Sequence, residues 1–393
     1  MKILHVVPTY FPAVRYGGPI WSVHALCRAL VLRGHEVSVA TTNVDGPDNL
    51  DVPTDRPVTL DGVSVSYFPS NHLRRLFWSP PLAQHLCEAI KHTDFLHLHS
   101  VFLWPTSAAA RIAALNGVPW CVAPRGALVP ALIQQRNRWI KTAWLTLVEK
   151  RTLEGAAFIH ATSELEATDV GSFGLRLPPI GVVPNGVDMP CPVNADEIAA
   201  SLPILRPSGP LLLFLGRVNW KKGLDRLIPA LAQVPFAQLV IAGNDEEGLT
   251  PHLQQLAHDE GVAARVFFIG PVHGKAKDAL LRTATLLVLP SYNENFGNVV
   301  LESLACGRPV AVTAAVGVAP IVVAANAGVV VPDEPVAMGL ALAALIASPE
   351  RLDEMGRNGQ QLVSSSYSWD AIAQRMEVAY AEARESVSLR QRR

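Results

Sequence analysis

Two carboxylates, Glu294 and Glu302, flank a glycine turn in the stretch Pro290-Ser-Tyr-Asn-Glu-Asn-Phe-Gly-Asn-Val-Val-Leu-Glu-Ser-Leu-Ala-Cys-Gly-Arg-Pro-Val310. The apolar run Thr285 to Leu289 predicts a buried strand, Pro290 to Gly297 a turn, and Asn298 to Cys306 a helix. The first amides of such a helix lack intrahelical partners and lie at the positive end of its dipole, which suits a phosphate. Gly297 lets the backbone approach a ligand closely. A carboxylate on each side can then accept from hydroxyls, Glu302 from a ribose and Glu294 from a hexose. Glu294, Asn295, Phe296, Gly297, Asn298, Val299 and Glu302 are therefore candidate contacts to a sugar nucleotide. The plainer reading makes Glu294 a helix cap and Glu302 a solvated carboxylate.

Cations stand at a matching place. Gly216-Arg-Val-Asn-Trp-Lys-Lys-Gly223 follows the apolar run Leu211 to Leu215, so Arg217 and Lys222 lie beyond one strand end. Arg binds a diphosphate in a forked manner and Lys as a point charge; a solvated basic loop is the alternative, and Lys221 is read as outside the site. No Asp-x-Asp pair follows an apolar strand; Asp245-Glu-Glu247 comes nearest, in an acidic loop. The sequence therefore predicts no metal, with the cationic pair in its place.

Further candidates lie in the first half. Tyr16-Gly-Gly-Pro19 sits between a strand and a helix, where the amides of Gly17 and Gly18 can reach a phosphate, or where the chain is an ordinary loop. Phe95-Leu-His-Leu-His-Ser100 ends a strand with His97 and His99 on one face. His-x-His can bind a metal, but no third ligand is evident in the sequence, and the plainer reading makes each a hydrogen-bonded polar residue at a strand end. In Pro124-Arg-Gly-Ala-Leu128, Arg125 is placed to neutralise a phosphate or carboxylate of an acceptor, or to cap the following helix. Thr162, Ser163 and Glu164 give a helix-start signal. Gln134 to Arg151 is basic and aromatic at helical spacing. It reads either as a face resting on a membrane surface, as does Arg74 to Trp78, or, through Trp144, Leu145 and Val148, as core.

The elements that must position these residues alternate. Apolar runs at Ile3 to Val7, Val37 to Ala40, Val63 to Tyr67, Phe95 to Leu98, Trp120 to Val122 and Phe158 to Ala161 are interleaved with helical stretches such as Trp21 to Arg33 and Leu82 to Lys91. A second series runs through Leu211 to Leu215, Leu239 to Ala242, Val266 to Ile269, Thr285 to Leu289, Val310 to Val312 and Val329 to Val331. Alternation of this kind predicts α/β architecture with two parallel, doubly wound sheets, hence two Rossmann-like domains. The boundaries read from the chain are 1–188 for the N-terminal domain, 189–210 for a proline-rich linker, 211–368 for the C-terminal domain and 369–393 for a terminal helix.

With 393 residues, 49% hydrophobic and 17% charged, the chain can bury two cores. Its net charge of -1 argues against a nucleic-acid binder and against bulk attraction to anionic membranes, leaving any membrane contact local. Met1 to Pro8 reads as a strand rather than a signal peptide, and no apolar run reaches membrane-spanning length. Cys27, Cys87, Cys121, Cys191 and Cys306 are scattered without zinc spacing, as expected of a reduced, cytoplasmic protein.

Pro290 to Val310 resembles, almost position by position, the paired-glutamate element of the retaining GT-B glycosyltransferases of family four, which build bacterial lipopolysaccharide, exopolysaccharide and glycolipids. The resemblance covers nearly the whole chain and implies two Rossmann-like domains facing a central cleft, the last helix crossing back to the N-terminal domain near Tyr367 to Trp369. It implies a UDP- or GDP-sugar donor held by Arg217, Lys222, Glu294, Glu302 and the Gly17–Gly18 loop, and a glycan or lipid-linked acceptor near Tyr16 and Arg125. His99 matches the family histidine that faces the donor sugar. His99, Glu294, Arg217 and Lys222 are thus the expected catalytic set, without a cofactor. The implied activity is retaining, metal-independent hexosyl transfer in cell-surface polysaccharide synthesis, in the cytoplasm or at the inner face of the membrane. A sugar-nucleotide epimerase on the same fold and a non-catalytic partner subunit are the alternatives.

Overall fold

The computed structural model describes residues 1–13, 17–130, 138–190 and 209–391. The chain forms two compact units: Met1–Gly186 with Trp369–Arg393, and Val187–Ser368. Of the stretch expected to be a linker, residues 191–208 lie outside the described part, as do Tyr16 and residues 134–137.

The first unit is built on an eight-stranded sheet. Its strands are β1 (Lys2–Thr9), β2 (Glu36–Thr42), β5 (Val58–Leu60), β6 (Val63–Phe68), β7 (Phe95–His99), β8 (Trp120–Ala123), β9 (Phe158–Ala161) and β10 (Ile180–Val182). The order is β10-β9-β8-β7-β1-β2-β6-β5, parallel throughout except for the β5–β6 hairpin. A small separate hairpin pairs β3 (Val44–Asp45) with β4 (Asp48–Asn49). β7 reads Phe-Leu-His-Leu-His and every residue is buried, as a strand covered on both faces requires. Cores on the two sides gather Ile3, Val39, Val65 and Phe95 on one, and Leu4, Leu96, Val122 and Ile159 on the other.

Helix α1 (Gly18–Leu32) starts earlier than the apolar periodicity suggests. Gly17, at φ 74, precedes it and Pro19 lies in its first turn, where a missing N–H costs nothing. Gly18 and Pro19, read as loop, are therefore helical. The C-terminal helix Trp369–Gln391 packs on this first unit. Ile372, Met376 and Tyr380 enter its core, and Glu377 takes a forked pair of hydrogen bonds from Arg33 Nε and NH2 at 2.8 and 2.9 Å.

The second unit has six parallel strands: β11 (Leu211–Leu215), β12 (Gln238–Ala242), β13 (Val266–Gly270), β14 (Leu286–Leu289), β15 (Val310–Val312) and β16 (Gly328–Val330). Their order, β13-β12-β11-β14-β15-β16, is that of a doubly wound dinucleotide fold. Strand order reverses between β11 and β14, and in such sheets ligands bind beyond the carboxyl ends of the strands at that point. In the first unit the same reversal falls between β1 and β7. These two places receive the loops that carry the candidate residues. Leu211–Leu215 is wholly buried, whereas β13, at the sheet edge, is only half-buried.

Candidate active site

In the second unit, β14 ends at Leu289 and the helix Asn298–Ala305 begins after Gly297. Gly297 sits at φ 97 with no side-chain cap. A Cβ there would also lie 3.0 Å from Val316 Cγ1, so both conformation and space select glycine. The turn is laced to the loop after β15: Glu294 N donates to Ala315 O at 3.0 Å, Gly317 N to Glu294 O at 2.9 Å and Val318 N to Phe296 O at 3.1 Å. Phe296 is buried beneath it. Asn295, Asn298 and Val299 are half-buried, and Val299 packs against the core.

The loop after β11 delivers Lys222 to Glu294. Trp220–Lys222 makes one tight turn closed by Lys222 N on Asn219 O at 3.1 Å. The Lys222 ammonium forms an ion pair with the Glu294 carboxylate, their side chains 16% and 20% exposed. Glu294 is therefore no helix cap. The residue expected on a diphosphate and the one expected on a hexose are thus brought into direct contact. Tyr292 N donates to Lys221 O at 2.8 Å, fixing the two loops side by side.

Two partners were invisible in the sequence. Lys277 donates to Glu302 Oε1 at 3.0 Å, so Glu302 is an oriented carboxylate rather than a solvated one. Arg217 NH1 donates to Glu246 Oε1 at 2.8 Å, and Asn219 Nδ2 to Glu246 Oε2 at 3.0 Å. The acidic loop that came nearest to a metal-binding pattern thus neutralises an arginine. It is held there by a close crossing, since a Cβ on Gly243 would lie 1.8 Å from Gly216 O. Arg217 is half-exposed, and an exposed pair of this kind is worth little, on the order of 0–1 kcal/mol. A diphosphate can displace it.

In the first unit, His99 ends β7 inside a buried cluster. Parallel register sets His5 of β1 beside His97. Proton bookkeeping fixes each ring. His160 Nε2 contacts Val183 O at 2.8 Å; a carbonyl only accepts, so this nitrogen carries the proton. His160 Nδ1 then accepts from His97 Nε2 at 3.2 Å, and His97 Nδ1 accepts from the Tyr380 hydroxyl at 2.7 Å. Arg125 NH2, always a donor, lies 3.4 Å from His99 Nδ1. His99 Nε2–H therefore donates to His5 Nδ1 at 2.9 Å, leaving His5 Nε2–H buried without a partner. Burial, with the Arg125 charge second, lowers the His5 pKa to about 3. His160 falls to about 3 for the same reasons, and burial lowers His97 and His99 well below the usual imidazole value.

This arrangement corrects one expectation, that His97 and His99 have no third imidazole beside them. A third imidazole does stand by His97 and His99, namely His5, and the three could converge on an ion. Each, however, accepts a hydrogen bond on its one lone-pair nitrogen, and Arg125 adds a positive charge beside them, so the cluster is not built for a cation. His99, expected to face a sugar, has both ring nitrogens on protein partners. Arg125 caps no helix; it bonds Asn185 Oδ1 at 2.9 Å as well as His99. Ser163 does cap its helix, accepting from Glu166 N at 3.1 Å. In the basic aromatic segment Leu145 packs against the core and Trp144 donates to Glu149 Oε1 at 3.1 Å, while Trp139, Ile140 and Leu147 are exposed.

Comparison with known proteins bears on both units. Residues 17–186 match the model of a glycosyl transferase 4-like domain, and residues 203–362 that of glycosyl transferases group 1. The chain is 34% identical over 250 residues to a D-inositol 3-phosphate glycosyltransferase of Xylanimonas cellulosilytica, covering 60% of this chain and 59% of that relative's length. Among solved structures it resembles a sucrose-phosphate synthase from Thermosynechococcus elongatus, with TM-score 0.76 and 22% identity over 97% of this chain and 99% of that one. The Anabaena protein HepE, solved with UDP and glucose, gives TM-score 0.75 at 19% identity, over 97% of this chain and 100% of that one.

Proposed function

Given that the chain belongs to the GT-B glycosyltransferases of family four, we propose that it moves a hexose from a nucleoside diphosphate sugar to a glycan or lipid-linked acceptor in cell-surface polysaccharide synthesis. The observation that carries this reading is the Lys222–Glu294 pair at the strand-order reversal of the second unit, beside the uncapped start of Asn298–Ala305. Relatives named for glycosyl transfer to D-inositol 3-phosphate and a fold neighbour solved with UDP and glucose support it.

In the proposed reaction Glu302 accepts from the ribose and Glu294 from a hexose hydroxyl. The bond from the anomeric carbon to the β-phosphate oxygen breaks as the acceptor oxygen bonds to that carbon on the same face, retaining configuration. The acceptor proton passes to the departing phosphate. Negative charge growing on the diphosphate is met by Lys222 and the amides at the helix start, which are already in place, and by Arg217 once the diphosphate displaces Glu246. That positive charge takes the place of a divalent ion.

Trp139, Ile140 and Leu147, 81%, 69% and 73% exposed, offer a membrane surface at which a lipid-linked acceptor on the cytoplasmic face can be reached. No single helix among the described residues is long and apolar enough to cross a membrane. Sedimentation with vesicles of anionic phospholipid should be lost in Trp139→Glu/Leu147→Glu; unchanged sedimentation removes this face from the proposal.

The central test is thermal unfolding against a panel of UDP- and GDP-sugars, since a ligand bound only by the folded state raises its stability. The stabilising sugar nucleotide is then incubated with and without candidate acceptors. Acceptor-dependent release of nucleoside diphosphate is expected. Conversion of the donor alone to a stereoisomer would make the protein an epimerase, and a panel without effect would overturn the donor site.

A further inference from the structure

Two aromatic rings stand exposed on the loops that carry the Lys222–Glu294 pair. Trp220, in the turn that ends at Lys222, is 45% exposed, and Tyr292, just before Glu294, is 39% exposed. Their ring centroids are 6.3 Å apart and the ring planes are tilted by 42°. Rings left in water add little to folding, since stabilisation follows the apolar area removed from it. Both are nonetheless held in place. Tyr292 lies with one face on the Arg226 guanidinium, 3.4 Å from the ring centroid, and Arg226 is itself anchored by Asp333 at 2.8 Å. The Tyr292 hydroxyl donates to Asp225 Oδ2 at 2.7 Å and its amide to Lys221 O at 2.8 Å. Trp220 N donates to Glu247 Oε2 at 3.0 Å, so the acidic loop that holds Arg217 also fixes the backbone beneath this indole.

Both rings are open to a ligand. With Arg226 on one face of Tyr292, the exposure of that ring comes from its edges and its other face. The Lys221 ammonium is 6.0 Å from the Trp220 ring, at the outer limit of a cation–π contact and too far to cover it. Asp225 uses one carboxylate oxygen on Tyr292 and is exposed, so its other oxygen can accept from a hydroxyl. An aromatic surface edged by a hydrogen-bond acceptor suits a pyranose ring, whose C–H face packs on the aromatics while its hydroxyls bond at the rim. The charges around the rings balance: Arg226 is paired with Asp333, and the Lys221 ammonium is offset by the Asp225 carboxylate. Nothing here selects an anion.

We propose that Trp220 and Tyr292 form a stacking platform for a neutral pyranose ring of the acceptor. The inference rests on the glycosyl-transfer reading and narrows it, because the acceptor must then present a sugar ring next to the transfer site rather than only a lipid or a charged headgroup. The order of groups along the loops favours the acceptor over the donor base. The proposed donor runs from its hexose at Glu294 to its ribose at Glu302, inside the helix Asn298–Ala305. Tyr292 precedes Glu294, and the rings therefore stand at the hexose end, away from the ribose and base.

The test uses the full chain saturated with whichever of UDP or GDP stabilises it, so that the nucleotide site is filled. The methyl glycosides of glucose, galactose and mannose are then titrated and followed by saturation-transfer NMR, in wild type, Trp220→Ala, Trp220→Phe and Tyr292→Ala. Because Trp220 is exposed, its variants should unfold near the wild-type temperature. At least one glycoside should bind wild type saturably, and about tenfold more weakly in Trp220→Ala and Tyr292→Ala, with nucleotide affinity unchanged. Trp220→Phe, which keeps a smaller ring, should fall between. Absence of glycoside binding to the nucleotide-loaded wild type would overturn the inference while leaving the donor site intact. Equal glycoside binding in Trp220→Ala would do the same, since the sugar would then sit elsewhere. A tenfold loss of nucleotide affinity in Trp220→Ala would put the donor on the rings and overturn their assignment to the acceptor. Failure of both nucleotides to bind wild type would overturn the glycosyl-transfer reading itself.

Discussion

Replacing Lys222 by Met separates what the Lys222–Glu294 pair does for the fold from what it does for the reaction. The two side chains are 16% and 20% exposed, so they are mostly but not fully withdrawn from water. Breaking a fully buried pair by removing one partner costs about 3–5 kcal/mol, whereas exposed pairs are worth about 0–1. The present geometry falls between, and we expect Lys222→Met to destabilise the second unit by about 2 kcal/mol, lowering its unfolding temperature by roughly 4–8 °C for a domain of this size. Glu294→Gln should cost a similar amount by stranding the ammonium. The double variant leaves no stranded charge and should recover most of the loss, to within about 1 kcal/mol of wild type. Turnover should behave differently. In the proposed reaction Lys222 meets charge that develops on the leaving diphosphate, a contact of a kind worth about 2.7–4 kcal/mol in the transition state, or roughly a hundred- to a thousandfold in rate. The double variant regains no such contact, so kcat/KM for the sugar nucleotide, read as nucleoside diphosphate release, should stay at least a hundredfold down although stability returns. Turnover that recovers together with stability would reduce the pair to a structural ion pair and refute the site assignment. So would a folded Lys222→Met enzyme of near-normal rate.

The histidine cluster makes a prediction for pH. His5 and His160 are held to about 3 in the folded chain, below the usual 6.5, so between those values the unfolded chain binds protons that the folded chain refuses. Stability should thus be constant above pH 6.5 and fall on acidification, by up to about 1.4 kcal/mol per pH unit for each such histidine; a urea midpoint for the first unit that stays flat from pH 7 to 5 would contradict this. Lys277→Met should raise the KM for donor severalfold with little change in kcat, because Lys277 orients Glu302 through one oxygen. If that carboxylate reads the ribose, the same substitution should shrink the preference for a ribonucleotide donor over its 2′-deoxy analogue. A preference left unchanged would show that Lys277 does not act through Glu302.

The second unit was legible because its site is local in sequence. Glycine at φ 97, the uncapped helix start and both glutamates lie within one strand-turn-helix stretch, where periodicity and turn chemistry speak directly. The strands themselves were legible for a related reason: runs such as Leu211–Leu215 are buried on both faces and stand out as unbroken apolar segments. Short edge strands do not. Ile180–Val182 and Val58–Leu60 are at most half-buried and carry too little apolar contrast to read as strands. Gly18–Pro19 reads as loop because both residues have low helix propensity, yet the first helical turn is where Pro is tolerated.

The first unit's site was opaque for a different reason, and the difference bears on what His99 can do. His5, His97, His160 and Tyr380 come from three strands and the terminal helix, and only sheet register brings them together. His-x-His by itself invites a metal, since the sequence cannot say which ring nitrogens are already engaged. Directed from Tyr380 and Arg125, the hydrogen bonds leave one imidazole N–H, on His5, without a partner. A group that approached His99 from solvent would have to break a bond that Arg125 or His5 now makes. Arg125, by contrast, retains unused donors. The residue that the sequence offers as the reactive histidine therefore presents no unengaged ring nitrogen in this arrangement, its Nδ1 being bonded to Arg125 and its Nε2 to His5.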